Sequence, residues 1–261
     1  MATYLDRILA AHRAAAAGDD REVGALMAAA ASLPPPRPFR ATIARDPALS
    51  VIAEVKRYSP SRGPLAPDLD PAGLALAYRS GGAACLSVLT DRAFFGGSTA
   101  DLAAARGATD LPVLRKDFTV GPADVCDARL MGADAVLLIV AALSPEELRC
   151  CAAVASELEL DALFEVHDER EAEAAVAAGA QLIGVNQRDL HTFEVDAARA
   201  ERVARLLPDH VVAVAESGIG GPADAARLAA AGYAAVLVGE ALVTAPDPAA
   251  AVAALAGAGR R

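Results

Sequence analysis

From residue 50 onward the chain keeps repeating one pattern. A short apolar run rich in β-branched residues ends in something polar or in glycine, and an Ala-rich stretch with helical spacing follows. The runs are VIAEVK (51–56), CLSVLT (85–90), PVLRKDF (112–118), AVLLIVA (135–141), ALFEVH (162–167), LIGVNQR (182–188), VVAVAES (211–217) and AAVLVGE (234–240). Near-continuous apolar strands alternating with helices predict a parallel sheet covered by helices. Between Lys56 and Gly239, the ends of the first and eighth runs, 183 residues span seven intervals. That is about 26 residues per unit, and eight such units predict a (β/α)8 TIM barrel. A doubly wound sheet is the rival architecture, but the chain has no dinucleotide glycine fingerprint.

Helix punctuation supports the division. In SPEE, Ser144 is an N-cap, Pro145 occupies the first helical position and Glu147 completes a capping box. Asp168 and Glu171 in DERE predict the same arrangement, and Asp247 with Pro248 opens the last helix. Residues 1–50 stand outside the repeat. There YLDRILAAHRAAAA and REVGALMAAAASL read as helices, PPPRP as an extended connector, and 39–45 as a short helix. We expect a single domain over 1–261, with 1–50 an N-terminal helical extension packed on a barrel of 51–261.

Composition narrows the partners. A formal charge of −10 argues against non-specific binding to nucleic acid or an anionic membrane, yet allows a local cationic pocket for an anionic metabolite. No apolar stretch reaches the ~18 residues of a membrane span. The start MATYLDR lacks the basic residues and apolar run of a signal peptide. Cys85, Cys126, Cys150 and Cys151 form no C-x-x-C pair and have no histidine at metal spacing. These features predict a cytoplasmic protein with reduced thiols and no metal. We expect a monomer or a weak homodimer.

The candidate chemistry lies at the ends of the runs. VLRKDFTV (113–120) favours a strand by composition but carries Lys116 toward the interior. In a barrel the active site is built where the strands end, and alternation along each strand selects the side chains that point inward. That puts Glu54 and Lys56 on one face of the first run, and Lys116 with Leu114 and Phe118 on the third. Glu165 follows on the fifth, Asn186 and Arg188 on the sixth, and Glu216 on the seventh. Buried charges are costly even when paired, so so many on one rim point to an active site. Lys56 and Lys116 can hold or deliver protons, Glu165 can accept one, and Glu54 would orient Lys56. The glycines of ESGIGG (216–221) and VGEAL (238–242) follow the seventh and eighth strands, where barrels often hold phosphate through backbone N–H groups. The loop SPSRG adds Ser59 and Arg62 to that rim.

These segments resemble the indole-3-glycerol phosphate synthase family over essentially the whole chain. The resemblance is carried by VIAEVKRYSPSRG, LTDRAFFGGS, VLRKDF, LFEVHDERE, IGVNQRDL, VAESGI and LVGEAL, in that order. It implies a helical extension over the mouth of the barrel. It also implies an enzyme of tryptophan biosynthesis that closes 1-(2-carboxyphenylamino)-1-deoxyribulose 5-phosphate to indole-3-glycerol phosphate, CO2 and water without a cofactor. By the same resemblance Lys116 is the general acid, Glu165 its partner acid/base, and Lys56, with Glu54 beside it, engages the substrate's anionic groups. Asn186, Arg188, Glu216 and Ser217 form a polar shell, and Phe95 and Phe118 a wall for the anthranilate ring. Gly218, Gly239 and the backbone of Glu240 hold the phosphate.

The chain departs from the family pattern at Tyr58, where a small residue is common, and at Arg62, often lysine. GPADVCDARL (121–130) also lacks the expected aromatic residue. His167 is assigned a structural or rim role, and His12, His191 and His210 none. A Schiff-base aldolase with Lys116 as nucleophile is the nearest rival activity; a non-catalytic phosphate-binding protein is the rival from another class.

Overall fold

A computed structural model describes residues 3–45, 48–189 and 192–259; His191 lies outside them. All eight predicted runs form strands: β1 (Ser50–Val55), β2 (Cys85–Leu89), β3 (Val113–Lys116), β4 (Ala135–Ile139), β5 (Asp161–Val166), β6 (Leu182–Asn186), β7 (Val212–Glu216) and β8 (Ala235–Val238). Each pairs in parallel with the next, and β1 pairs with both β2 and β8, which closes a (β/α)8 barrel.

Strand alternation sorts the apolar residues into two cores. Val51, Ala53 and Val55 face the helices, whereas Ile52, Leu114, Leu137, Leu163, Leu182 and Leu237 fill the barrel. The register then sets the polar residues on one level: Lys116 lies opposite Leu89, Glu165 opposite Ile139, and Glu216 opposite Asn186. Apolar side chains close the floor beneath that level, so these ionic groups sit at the carboxyl end of the strands.

Punctuation holds at Ser144, whose hydroxyl accepts from the Glu147 N–H while the Glu147 carboxylate accepts from the Ser144 N–H. Asp168 forms only half of the predicted box. Its side chain accepts from the Glu171 N–H at 2.7 Å, but the Glu171 carboxylate reaches one residue further back, to the His167 N–H (2.8 Å) and Nδ1 (3.0 Å). The His167 ring offers that carboxylate a second donor, which a cap backbone alone cannot.

The N-terminal extension embraces the barrel. Helix α1 (Tyr4–Ala17) crosses the mouth, where Leu5 and Ile8 are buried in the inner core. Arg13 anchors it to Glu147 (2.7 Å) and to the Ala142 carbonyl (3.0 Å). Helix α2 (Val23–Ala31) packs beside Pro122–Leu130, and α3 (Phe39–Arg45) covers the opposite end. There the Ser50 hydroxyl donates to the Ile43 carbonyl, and Asp161 accepts from the Arg40 N–H. No described helix is long and apolar enough to cross a membrane.

Candidate active site

The mouth encloses a cavity of about 470 Å³, and every site residue named from the sequence lines it. Lys116 rises from the end of β3 into a ring of carboxylates. Its ammonium donates to Glu165 Oε2 at 2.6 Å and lies 3.2 Å from Glu216 Oε2. Asn186 Nδ2 donates to the other Glu165 oxygen at 3.1 Å. Across the barrel Lys56 pairs with Glu54 at 2.7 Å, and Ser87 donates to Glu54 from β2 at 3.5 Å. Arg188 stands further out, with its guanidinium donating to the Phe193 carbonyl and its N–H to Asn186 Oδ1.

The electrostatics are lopsided. Burial alone would lower the Lys116 pKa, but Glu165, Glu216 and Glu54 outweigh it and raise the pKa above the ordinary lysine value, so the group is an ammonium. Burial works against ionisation of Glu165 as well, and Lys116, then His167, overcome it and hold the carboxyl below its usual range. Glu216 goes the other way. Burial and the neighbouring Glu165 charge outweigh Lys116 and raise its pKa. One carboxyl beside the lysine is thus ionised, while the other is disposed to carry a proton. Glu216 Oε1 is buried without a hydrogen-bond partner among the described residues.

Close approach explains two glycines. A Cβ on Gly184 would collide with Glu216 Oε1, and one on Gly239 would collide with the Glu54 carboxylate. Gly239 therefore makes room for the Glu54–Lys56 pair. Gly218 has φ +67, and Ser217 before it holds φ 61, a left-handed conformation uncommon for a non-glycine residue. The buried Gln187 fixes that turn by donating to the Ser217 carbonyl at 2.7 Å.

Around the rim, Phe95 and Phe118 stack obliquely with centroids 6.0 Å apart. Ser59 and Ser61 hydroxyls lie 3.1 Å apart, and Arg62 reaches Glu240 at 3.1 Å, joining the loop after β1 to the end of β8. Tyr4, Leu5 and Ile8 of α1 roof the cavity; the family resemblance puts the helix there, but no motif singles out these three side chains. Gly184 and Gln187 were also missed, although LIGVNQR contains both.

Of the two roles expected for His167, the structural one fits and the rim one does not: its side chain is 11% exposed, and Nε2 lies 3.4 Å from Glu165 Oε1. His12, given no role, pairs with Asp91 at 2.9 Å and lies 3.9 Å from Asp117. Asp91, Asp117 and His12 lie close enough to hold a cation. Their oxygens are already engaged, Asp91 by the Phe94 and Phe95 N–H groups and Asp117 by Arg115, Thr90 and the Phe118 N–H. The cluster therefore reads as a hydrogen-bonded latch for α1.

Comparison with known proteins agrees with this geometry. Residues 5–255 match the family model for indole-3-glycerol phosphate synthase. The indole-3-glycerol phosphate synthase of Mycobacterium ulcerans is 51% identical over 260 residues, 99% of this chain and 95% of that one. The enzyme of the same name from Beutenbergia cavernae is 55% identical over 215 residues, 82% and 80% of the two chains. Among solved structures, thiamine phosphate pyrophosphorylase from Pyrococcus furiosus superposes with a TM-score of 0.61 at 19% identity, over 82% of this chain and 96% of that one, a likeness of fold alone. With the family model spanning nearly the whole chain and relatives at half identity or better, this chain belongs to the indole-3-glycerol phosphate synthase family.

Proposed function

We propose that the cavity closes the indole ring of 1-(2-carboxyphenylamino)-1-deoxyribulose 5-phosphate, releasing CO2 and water, as its family membership implies for tryptophan biosynthesis. The observation that carries the mechanism is the Lys116 ammonium set between Glu165 at 2.6 Å and Glu216 at 3.2 Å. Lys116 protonates the substrate's ketone oxygen while the ring carbon bearing the carboxylate attacks the ketone carbon. Electrons from the breaking C–CO2 bond then flow into the iminium, so decarboxylation restores the benzene ring. Lys56, the second ammonium of the cavity, delivers the proton with which the hydroxyl leaves as water, and Glu165 takes the proton whose loss completes the indole.

Lys56, oriented by Glu54, meets the substrate's anionic groups. Phe95 and Phe118 cover the aromatic ring, and Asn186, Arg188, Glu216, Ser217 and Ser59 bind its polar edge. The phosphate lies against the backbone N–H groups of Gly218, Gly239 and Glu240, the last two at the start of a helical turn whose N–H groups have no intrahelical acceptor. A Schiff-base aldolase would need Lys116 as a neutral amine, and its raised pKa opposes that. Incubating the purified protein with the synthetic substrate and following indole fluorescence tests the proposal. Product formation supports it; a borohydride-trapped adduct on Lys116 without product would replace it with the aldolase.

A further inference from the structure

Lys116 is flanked by two carboxylates of similar burial, Glu165 and Glu216, at 1% exposure each. Chemistry needs them to differ, because a base must be ionised before it can accept a proton. The asymmetry comes from what stands behind each one. Behind Glu216 Oε1 is Gly184, which offers no donor. Behind Glu165 Oε1 stand Asn186 and the His167 ring, with Nε2 at 3.4 Å. His167 is itself held from the other side, since Glu171 accepts from both its backbone N–H and its Nδ1.

We infer that His167 is a positioning residue for Glu165: an imidazolium clamped by Glu171 that decides which of the two carboxylates beside Lys116 is the ionised one. The inference rests on the role of Glu165 proposed above. The half-formed capping box at Asp168 belongs to the same device. Glu171 leaves the cap backbone and spends its carboxylate on His167, and the helix Glu169–Ala177 thereby fixes the ring against the strand. The contact at 3.4 Å is an ion pair rather than a well-aligned hydrogen bond, which leaves Glu165 Oε1 able to take a proton.

The charged groups that act on His167 are Glu165 on its own strand and Glu171 on the adjoining helix; Lys116 bears on Glu165 from the opposite oxygen. Burial would lower the histidine's pKa, but the two carboxylates raise it to about 9, so the ring is cationic at neutral pH. A nearby cation lowers a carboxyl pKa, and deleting it lets that pKa rise. The ionised base is then lost at higher pH, so the acid limb of the kcat/KM profile moves upward.

Two experiments test this separately from the function itself. Nitrogen NMR of His167 in the intact protein should show a doubly protonated ring at pH 7.5, titrating well above an ordinary histidine; a neutral ring at that pH overturns the inference whatever the activity. The pH profiles of wild type, His167→Gln and Glu171→Gln should show acid limbs raised by about 1–2 units in His167→Gln and by less in Glu171→Gln, with KM little changed. Glu171 lies outside the cavity lining and its replacement is isosteric, so that variant remains informative if His167→Gln folds poorly. Lower thermal stability with a superimposable normalised profile would reduce His167 to a structural residue. Absence of wild-type turnover would refute the proposed function and leave the NMR result to judge His167.

Discussion

The two faces of β3 carry opposite kinds of polar cluster. Arg115 turns away from the barrel axis, and Asp117 just past the strand end turns back to meet it at 3.0 Å. Asp117 also accepts from Thr90 and the Phe118 N–H, Arg115 donates to the Asp124 carbonyl, and His12 of α1 lies beside them. Donors and acceptors are matched, so the cluster fixes a shape. One residue away, Lys116 is shared between Glu165 and Glu216, and one Glu216 oxygen has no donor among the described residues. A satisfied buried network stabilises, whereas an unbalanced one keeps protons available at a cost in stability. The contrast sets an unbalanced cluster around Lys116 against a satisfied one around Asp117, although both are buried and charged and both reach the cavity.

The comparison can be broken most sharply on the inner face. Glu165→Gln should lower kcat by ~10²–10⁴-fold in the folded protein, since a positioned acid or base is worth that much. Turnover within tenfold of wild type would remove Glu165 from the mechanism. On the outer face, Asp117→Ala should invert the pattern. Leaving Arg115 buried without its carboxylate should cost about 3–5 kcal/mol in urea unfolding, while the folded fraction keeps most of its kcat.

Gly184→Ala probes the packing of the inner face itself, because the new Cβ displaces Glu216 from its place near Lys116. Overpacking should destabilise by about 1–3 kcal/mol, with a fall in kcat as well. Unchanged kcat would mean that the position of Glu216 is not critical. The smallest effect is expected at His12. Its pKa is raised mainly by the hydrogen bond to Asp91, so its stabilisation is present below the unfolded value near 6.5 and is lost as pH rises through the folded one. His12→Gln should therefore cost about 1 kcal/mol at pH 5.5 and less at pH 8.5; the reverse order would show that no such latch exists.

What the sequence discloses follows from the range of the interactions. All eight strands were legible because each is a local apolar run with a polar end, and Lys116, Glu165 and Glu216 were legible because alternation decides which side of a strand a residue occupies. His12 was not, since its partner Asp91 lies 79 positions away and nothing in YLDRILAAHR anticipates it. The role of Gly184 depends on a carboxylate from the neighbouring strand occupying the space of its absent side chain. Glu171 was read as a cap, and His167 as a structural or rim residue, because the local pattern for a capping box is complete at DERE. Only the barrel brings Glu165 close enough to draw the ring inward.

In the reading proposed above, a charged Lys116 held between Glu165 and Glu216 is the acid of the ring closure. The most direct measurement is the rate of indole-3-glycerol phosphate formation by Lys116→Ala at saturating substrate, with folding checked by circular dichroism. The expected result is a loss of ~10²–10⁴-fold with substrate binding largely retained. A folded variant that keeps more than about a tenth of wild-type turnover would contradict it.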